Sequence, residues 1–113
     1  MNFQEYQESS RKTAIYPEAG TGKVGELLYL VVALSGELGE LAEKVKKIKR
    51  DKNGAIEQKD KEKMSQELGD ILWYLARFAD ALGLTLEQIA QANLQKLFSR
   101  KERGRIKGEG DDR

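Results

Sequence analysis

The sequence predicts an all-α protein, built as an antiparallel bundle of about four helices. The 113-residue chain has one proline, Pro17, and its eleven glycines fall in a few short stretches, so long segments lack helix breakers. In two of those segments apolar residues recur at alternating steps of three and four, as they do in helices that pack against each other. The alternating pattern of β-strands is missing.

The helices are expected at about 2–14, 24–50, 57–82 and 86–101. Asn53-Gly54, within DKNGA, is a turn signal between the second and third helices. Thr85 and Gln88 form the capping-box pattern that opens the fourth helix after Gly83. We expect residues 1–103 to form a single domain, followed by a flexible, glycine-rich charged tail at 104–113.

The two long helices show the apolar spacing most clearly. The predicted seam of the second helix is Val24, Leu27, Val31, Leu34, Leu38, Leu41, Val45 and Ile48, and that of the third is Met64, Leu68, Ile71, Leu75, Phe78 and Leu82. Residues 27–34, LLYLVVAL, are apolar on every side of the helix and must be covered all round. A second copy of the chain is the simplest cover, and the chain's own first and fourth helices are the alternative.

Composition excludes several classes of function. The 20 basic and 19 acidic residues nearly cancel, so we expect no stable nucleic-acid binding. Cysteine and histidine are both absent, which removes disulfides, thiol and imidazole nucleophiles, and the usual zinc sites. The longest apolar run, 27–34, is far shorter than the roughly 20 residues that span a membrane, and we therefore expect a cytoplasmic protein.

A short motif occurs twice, as SGELGEL at 35–41 and SQELGDI at 65–71. Glu37 and Glu40, like Glu67 and Asp70, are spaced i, i+3 and share a helix face. The two pairs are equidistant from the Asn53-Gly54 turn, so folding the hairpin there brings four carboxylates to the same height. Two such charges ~5 Å apart repel by ~3 kcal/mol at an effective dielectric of about 20. The repeat therefore predicts a bound cation.

Oxygen donors without histidine or cysteine indicate Mg²⁺, with Mn²⁺ as a substitute. Gly39 and Gly69 each cost a helix about 1 kcal/mol, and their missing side chains leave room beside the acids for a close helix or a ligand. The competing interpretation is that each acidic pair is a solvated helix face, with Lys44 as the i+4 partner of Glu40.

The segments ELGE at 37–40 and ELGD at 67–70 resemble the ExxE, spacer, ExxD signature of the all-α nucleoside triphosphate pyrophosphohydrolases, among them the small MazG-like proteins. The resemblance covers about residues 24–100 and implies an oligomeric MazG-like architecture, a homodimer or homotetramer. It implies hydrolysis of an NTP or dNTP to the monophosphate and pyrophosphate, a nucleotide-pool house-cleaning activity. Mg²⁺ would be held by Glu37, Glu40, Glu67 and Asp70, with one of these acids orienting or deprotonating the attacking water.

The fourth helix carries Asn93, Lys96 and Arg100 at i, i+3, i+7, on one stripe. An amide and two basic groups suit phosphate binding, although a solvated basic face at a helix C-terminus has the same pattern. The resemblance implies that Asn93 and Lys96 contact the substrate. Tyr74, four residues after Asp70, either contacts sugar or base or packs internally. Two alternatives remain: phosphoribosyl-ATP hydrolysis by the same acids, and a non-catalytic helical dimerisation or adaptor module.

Overall fold

The computed structural model describes all 113 residues and contains four α-helices and no strand, which confirms the all-α prediction. The helices are α1 Phe3–Ser10, α2 Val24–Asp51, α3 Gln58–Ala81 and α4 Leu86–Glu102. The predicted ends of α2, α3 and α4 agree with these to within one residue. The first helix is shorter than predicted, because the chain tightens into a 3₁₀ turn at Arg11–Thr13.

The turn between α2 and α3 lies where the sequence predicts it. Asn53 and Gly54 both have left-handed backbone conformations, with φ of 53° and 81°, and the Gly54 amide donates to the Ile48 carbonyl at 3.2 Å. Glycine adopts this conformation without strain, and asparagine tolerates it better than most residues. The long helices therefore run antiparallel as a hairpin. The capping box of Thr85 and Gln88 at the start of α4 is also confirmed.

Helix α1 joins the hairpin to α4, since it packs against both α3 and α4. The buried Arg77 of α3 donates to the Ser10 hydroxyl at 2.9 Å and to the Gln7 carbonyl at 3.0 Å. The Gln7 side chain in turn donates to the Leu84 carbonyl and accepts from the Leu86 amide, both at 2.8 Å. These bonds fix the first helix between α3 and the start of α4.

The predicted apolar seam is wrong at alternate positions. On α2, Val24 is 80% exposed and Leu38 58%, and on α3 Leu68 is 55% exposed. The buried or half-buried stripe of α2 is instead Leu27, Leu30, Leu34, Glu37, Leu41, Lys44 and Ile48, and that of α3 is Asp60, Met64, Glu67, Ile71, Tyr74 and Phe78. Both stripes include charged residues. A seam predicted from apolar residues alone skips these positions and takes apolar residues of the neighbouring face in their place.

The displaced residues leave α2 with a second apolar face that the chain does not cover. Val31 is 44% exposed and Val32 63%, in the segment expected to need cover on all sides. The buried apolar residues are only Leu30, Ile48, Ala76 and Ala79. The radius of gyration is 17.0 Å, against about 13 Å for a compact domain of this length. None of the helices combines the length and hydrophobicity of a membrane-spanning segment.

Candidate active site

Three carboxylates meet in the groove between α2 and α3. Glu37, Glu67 and Asp70 each present an oxygen, and these oxygens all lie within 4.8 Å of one another. Glu37 and Glu67 are members of the two buried stripes that face each other, and Asp70 follows Glu67 by one turn of helix. The structure thus brings together three of the four acids that the sequence singles out. Glu40 is exposed and lies outside this group.

The acids of this cluster differ in their surroundings. Burial, the adjacent Glu67 and the charges of Glu40 and Asp70 raise the pKa of Glu37 to about 7. Glu67 is paired with Lys44, whose Nζ lies 3.0 Å from its Oε1, and this pairing lowers the pKa of Glu67. Lys44 therefore bridges to α3 rather than pairing with Glu40 along its own helix.

The cluster fits a hard divalent cation. Glu37 Oε2 and Glu67 Oε2 are buried and accept no hydrogen bond from any donor of the chain. A buried carboxylate oxygen without a partner is costly, and a cation beside both oxygens would satisfy them together. All the donors are carboxylate oxygens, the ligands that suit Mg²⁺ and Mn²⁺.

Gly39 and Gly69, the glycines of the repeated motif, face open space. Apart from its chain neighbours and the backbone of its own helix, a Cβ built on either residue would meet no atom within 4 Å. The close helix that the sequence offered as one reason for these glycines is therefore not supplied by this chain. The room beside the acids remains open to a ligand or a second chain.

Aromatic rings gather on the side of the cluster away from the hairpin turn. Tyr16 stacks on Tyr29 with ring centroids 5.4 Å apart, and Trp73 packs edge-on against Tyr74 at 5.0 Å. Burial, Tyr29 and the charges of Glu37 and Asp70 raise the pKa of Tyr74, in keeping with its place beside the acids. The Trp73 indole donates to the Thr13 hydroxyl at 3.0 Å, which gives that ring a packing role.

Glu26 is a buried acid that the sequence reasoning missed. It is 1% exposed and accepts hydrogen bonds from the Tyr16 hydroxyl at 2.6 Å and from the Gly20 and Gly22 amides at 2.9 Å. Burial alone would raise the pKa of Glu26, but these donors outweigh it and the pKa is lowered. Sequence spacing could not show this burial, because it depends on the loop before α2, whose Gly20 and Gly22 have left-handed φ values of 81° and 66°, folding back onto the first turn of the helix.

The predicted substrate residues of α4 contact the end of the chain. Lys96 Nζ lies 3.2 Å from Asp111 Oδ1. Arg100 is 3% exposed and donates to the Asp111 carbonyl at 2.6 Å, while Asn93 is exposed. These contacts place part of the predicted tail, around Asp111, against α4. The structure does not bring the basic stripe into contact with the acidic cluster.

Comparison with known proteins adds two findings. Residues 26–104 match the family model of the MazG nucleotide pyrophosphohydrolase domain. The chain is also 47% identical over 114 residues to the Gene 37 protein of Mycobacterium phage L5, with the whole of both chains covered. No solved structure matches the chain. The family match spans both acidic pairs, Tyr74 and the basic stripe of α4.

Proposed function

The chain belongs to the MazG nucleotide pyrophosphohydrolase family, and on that premise we propose that it hydrolyses a nucleoside triphosphate to the monophosphate and pyrophosphate in a Mg²⁺-dependent reaction. Mn²⁺ is proposed as a substitute for Mg²⁺, and the substrate is proposed to be an NTP or a dNTP. The observation that carries the proposal is the cluster of Glu37, Glu67 and Asp70, whose oxygens lie within 4.8 Å of one another. Two buried oxygens of this cluster lack a donor.

We assign the cation to Glu37, Glu67 and Asp70, with Glu40 completing the set from one turn along α2. When bound, the ion supplies charge neutralisation for the triphosphate and a lowered pKa for a coordinated water. The protein positions the triphosphate in the groove, and one of the four carboxylates accepts a proton from the attacking water. The water oxygen bonds to phosphorus as the bridge between the α and β phosphates breaks, and the displaced oxygen leaves with the other product.

Tyr74 is the proposed contact for the sugar or base, because it is half-buried and lies beside Glu37 and Asp70. Asn93, Lys96 and Arg100 are proposed as further substrate contacts on α4. In this proposal an oxygen of the phosphate nearest the nucleoside replaces the Asp111 carboxylate, which lies 3.2 Å from Lys96 Nζ. Hydrolysis of surplus or non-canonical triphosphates in this way would make the protein a house-cleaning enzyme of the nucleotide pool.

A non-catalytic helical dimerisation or adaptor module is the second candidate, and the uncovered apolar face of α2 supports it. The same face supports a homodimer or homotetramer under either function, since Val32 is 63% exposed and exposed apolar patches mark interaction surfaces. Only the enzyme, however, needs two unpartnered carboxylate oxygens inside the hairpin groove.

The test is pyrophosphate release from a panel of NTPs and dNTPs, with phosphoribosyl-ATP included, in Mg²⁺ and in EDTA. We expect at least one substrate to give monophosphate and pyrophosphate in equal amounts in Mg²⁺ and to give neither in EDTA. Asp70→Asn is the active-site control, and Asp112→Asn, an exposed acid of the tail, is the matched control expected to retain activity. No turnover of any substrate, together with no Mg²⁺-induced rise in melting temperature, would favour the adaptor.

A further inference from the structure

A basic cleft opens between the C-terminal end of α2 and the N-terminal end of α3. Its volume is about 320 Å³, and five of the eight residues that line it are lysines: Lys44, Lys47, Lys52, Lys59 and Lys63. The cleft lies at the hairpin-turn end of the groove that holds the acidic cluster. The aromatic rings occupy the other side of that cluster.

The two acids of the cleft are already paired, and Asp60 neutralises one of the lining lysines. Asp60 accepts from Lys52 Nζ at 2.9 Å and from the Glu57 amide at 2.9 Å. Asp51 is held by the neighbouring Arg50, at 2.7 Å. Two of the remaining lysines have partners only at the limit of an ion pair, with Lys47 at 4.0 Å from Glu43 and Lys59 at 3.9 Å from Glu57. Lys63 forms no ion pair, so the cleft keeps ammonium groups that the chain does not neutralise.

The helix dipoles do not explain all of these lysines. Basic residues at the C-terminal end of α2 are favoured by its dipole, whereas Lys59 and Lys63 lie in the first two turns of α3, where the dipole is positive. Unneutralised ammonium groups beside a helix N-terminus create a positive field suited to a multiply charged anion.

The cleft and the acidic cluster are continuous through Lys44, which lines the cleft and also contacts Glu67 at 3.0 Å. Lys44 follows Glu40 by four residues and Lys63 precedes Glu67 by four, so each lysine is about 6 Å along its helix from an acid of the site. That separation is comparable to the length of a short chain of phosphates.

We propose that this basic cleft binds the terminal phosphates of the substrate and the pyrophosphate product. The inference rests on the proposed function for the identity of the substrate. Binding in the cleft would orient the nucleotide in the groove, with its terminal phosphates toward the Asn53-Gly54 turn and its nucleoside toward Tyr74. Lys47 and Lys63 contact the phosphate chain, and Lys44 lies at the junction with the metal-binding acids.

The experiment is calorimetric titration of the full chain with inorganic pyrophosphate, in Mg²⁺ and in EDTA, and with a nucleoside monophosphate. The test variant is Lys47→Gln with Lys63→Gln. The matched control is Lys49→Gln with Lys61→Gln, which removes the same charge from the same two helices at exposed positions outside the cleft. Melting temperatures of both variants verify folding.

We expect the test variant to bind pyrophosphate about tenfold more weakly or worse, the control variant to change less than about twofold, and monophosphate binding to respond to neither. Equal weakening in both variants would show a general charge effect, and unchanged binding in the test variant would place pyrophosphate elsewhere; either overturns the proposal. Binding is measured without turnover, so lysine-dependent pyrophosphate binding in a protein that hydrolyses no nucleotide would retain the cleft and reject the enzyme. Turnover of a nucleotide, together with pyrophosphate binding that does not depend on Lys47 and Lys63, would retain the enzyme and reject the cleft.

Discussion

Lys44 of α2 and Glu67 of α3 form an ion pair of 3.0 Å within the groove of the hairpin. The ammonium group stands beside the acidic cluster, where Glu37 Oε2 and Glu67 Oε2 have no donor of their own. Lys44 therefore offsets part of the repulsion among the carboxylates. A divalent cation at the same acids would offset that repulsion more completely, and it would share this role with Lys44.

Lys44→Gln should lower the melting temperature in EDTA, because Glu67 loses its cationic partner. Saturating Mg²⁺ should close most of the gap between variant and wild type, since the ion then supplies the missing charge. Differential scanning fluorimetry with and without Mg²⁺ measures both effects. Lys46→Gln, at an exposed position paired only with Glu43, is the control, and a Lys44→Gln gap that Mg²⁺ leaves unchanged would contradict the shared role.

Glu37→Gln should abolish turnover without destabilising the protein in EDTA. The substitution keeps the shape of the side chain and removes one of the like charges within 4.8 Å, so the free energy of unfolding should rise or stay within about 0.5 kcal/mol. Urea denaturation and the pyrophosphate-release assay test the two halves of this prediction. A fall of several kcal/mol would identify Glu37 as a paired structural residue.

Asp80→Asn should destabilise the protein at neutral pH but not in acid. Arg11 Nη2 lies 2.6 Å from Asp80 Oδ1 and Arg77 Nη1 3.1 Å from its Oδ2; these guanidinium groups lower the pKa of Asp80 below its usual 3.8 against the opposing effect of burial. The folded chain therefore binds this proton less readily than the unfolded chain. The stabilisation is complete above the unfolded pKa and is lost as pH falls through the folded one.

The expected cost of Asp80→Asn is about 1–3 kcal/mol at pH 7, and the difference from wild type should shrink once the pH falls below the unfolded pKa of 3.8. Urea denaturation across this range measures it, with Asp112→Asn as an exposed control. A difference of constant size across the whole range would show that charge is not the cause.

Glu26→Gln should loosen the loop between α1 and α2. The amide group of glutamine cannot accept all three of the hydrogen bonds that Glu26 receives, and a buried donor left unsatisfied costs about 1–3 kcal/mol. Limited proteolysis should cut residues 14–23 faster, and urea denaturation should show the loss. Glu87→Gln, an acid in the first turn of α4, is the matched control; equal behaviour of the two variants would refute the special role of Glu26.

Val32→Glu should break the association of chains. Wild type is expected to sediment as a dimer or tetramer of the 12.8 kDa chain, and a charge at this 63%-exposed valine would face the apolar surface of a partner. Analytical ultracentrifugation measures the change. Lys49→Glu, exposed at the C-terminal end of the same helix, should leave the assembly intact, and a monomeric wild type would contradict the prediction.

The fold followed from sequence wherever a local signal decided it. Helix breakers and the left-handed pair Asn53-Gly54 set the ends of the long helices, and the repeated motif located the groove in which Glu37 meets Glu67. The seam was misplaced because apolar residues alone define two faces of α2, and only tertiary contacts determine which of the faces is buried. Glu67 in particular takes a seam position that the pattern assigned to Leu68.

The spacing of residues along the sequence could not predict contacts between distant residues. Glu26 is buried only because the loop folds back to donate three hydrogen bonds to it. The pairing of Arg100 with Asp111 likewise depends on the path of the last residues. The lysines of the cleft come from two helices, and neither helix alone shows that they converge.

The stripes that join α2 and α3 carry charged residues at their centre, so the stability of the hairpin should depend on the ions in solution. A hairpin closed at mid-length by leucines would be equally rigid in any buffer, whereas this one has Glu37, Lys44 and Glu67 at that point. If the proposed cation binds these acids, scarcity of divalent ions would let the two helices separate more often at their midpoint and give cellular proteases access. The lifetime of the protein in the cell would then follow the supply of the ion on which the proposed reaction depends.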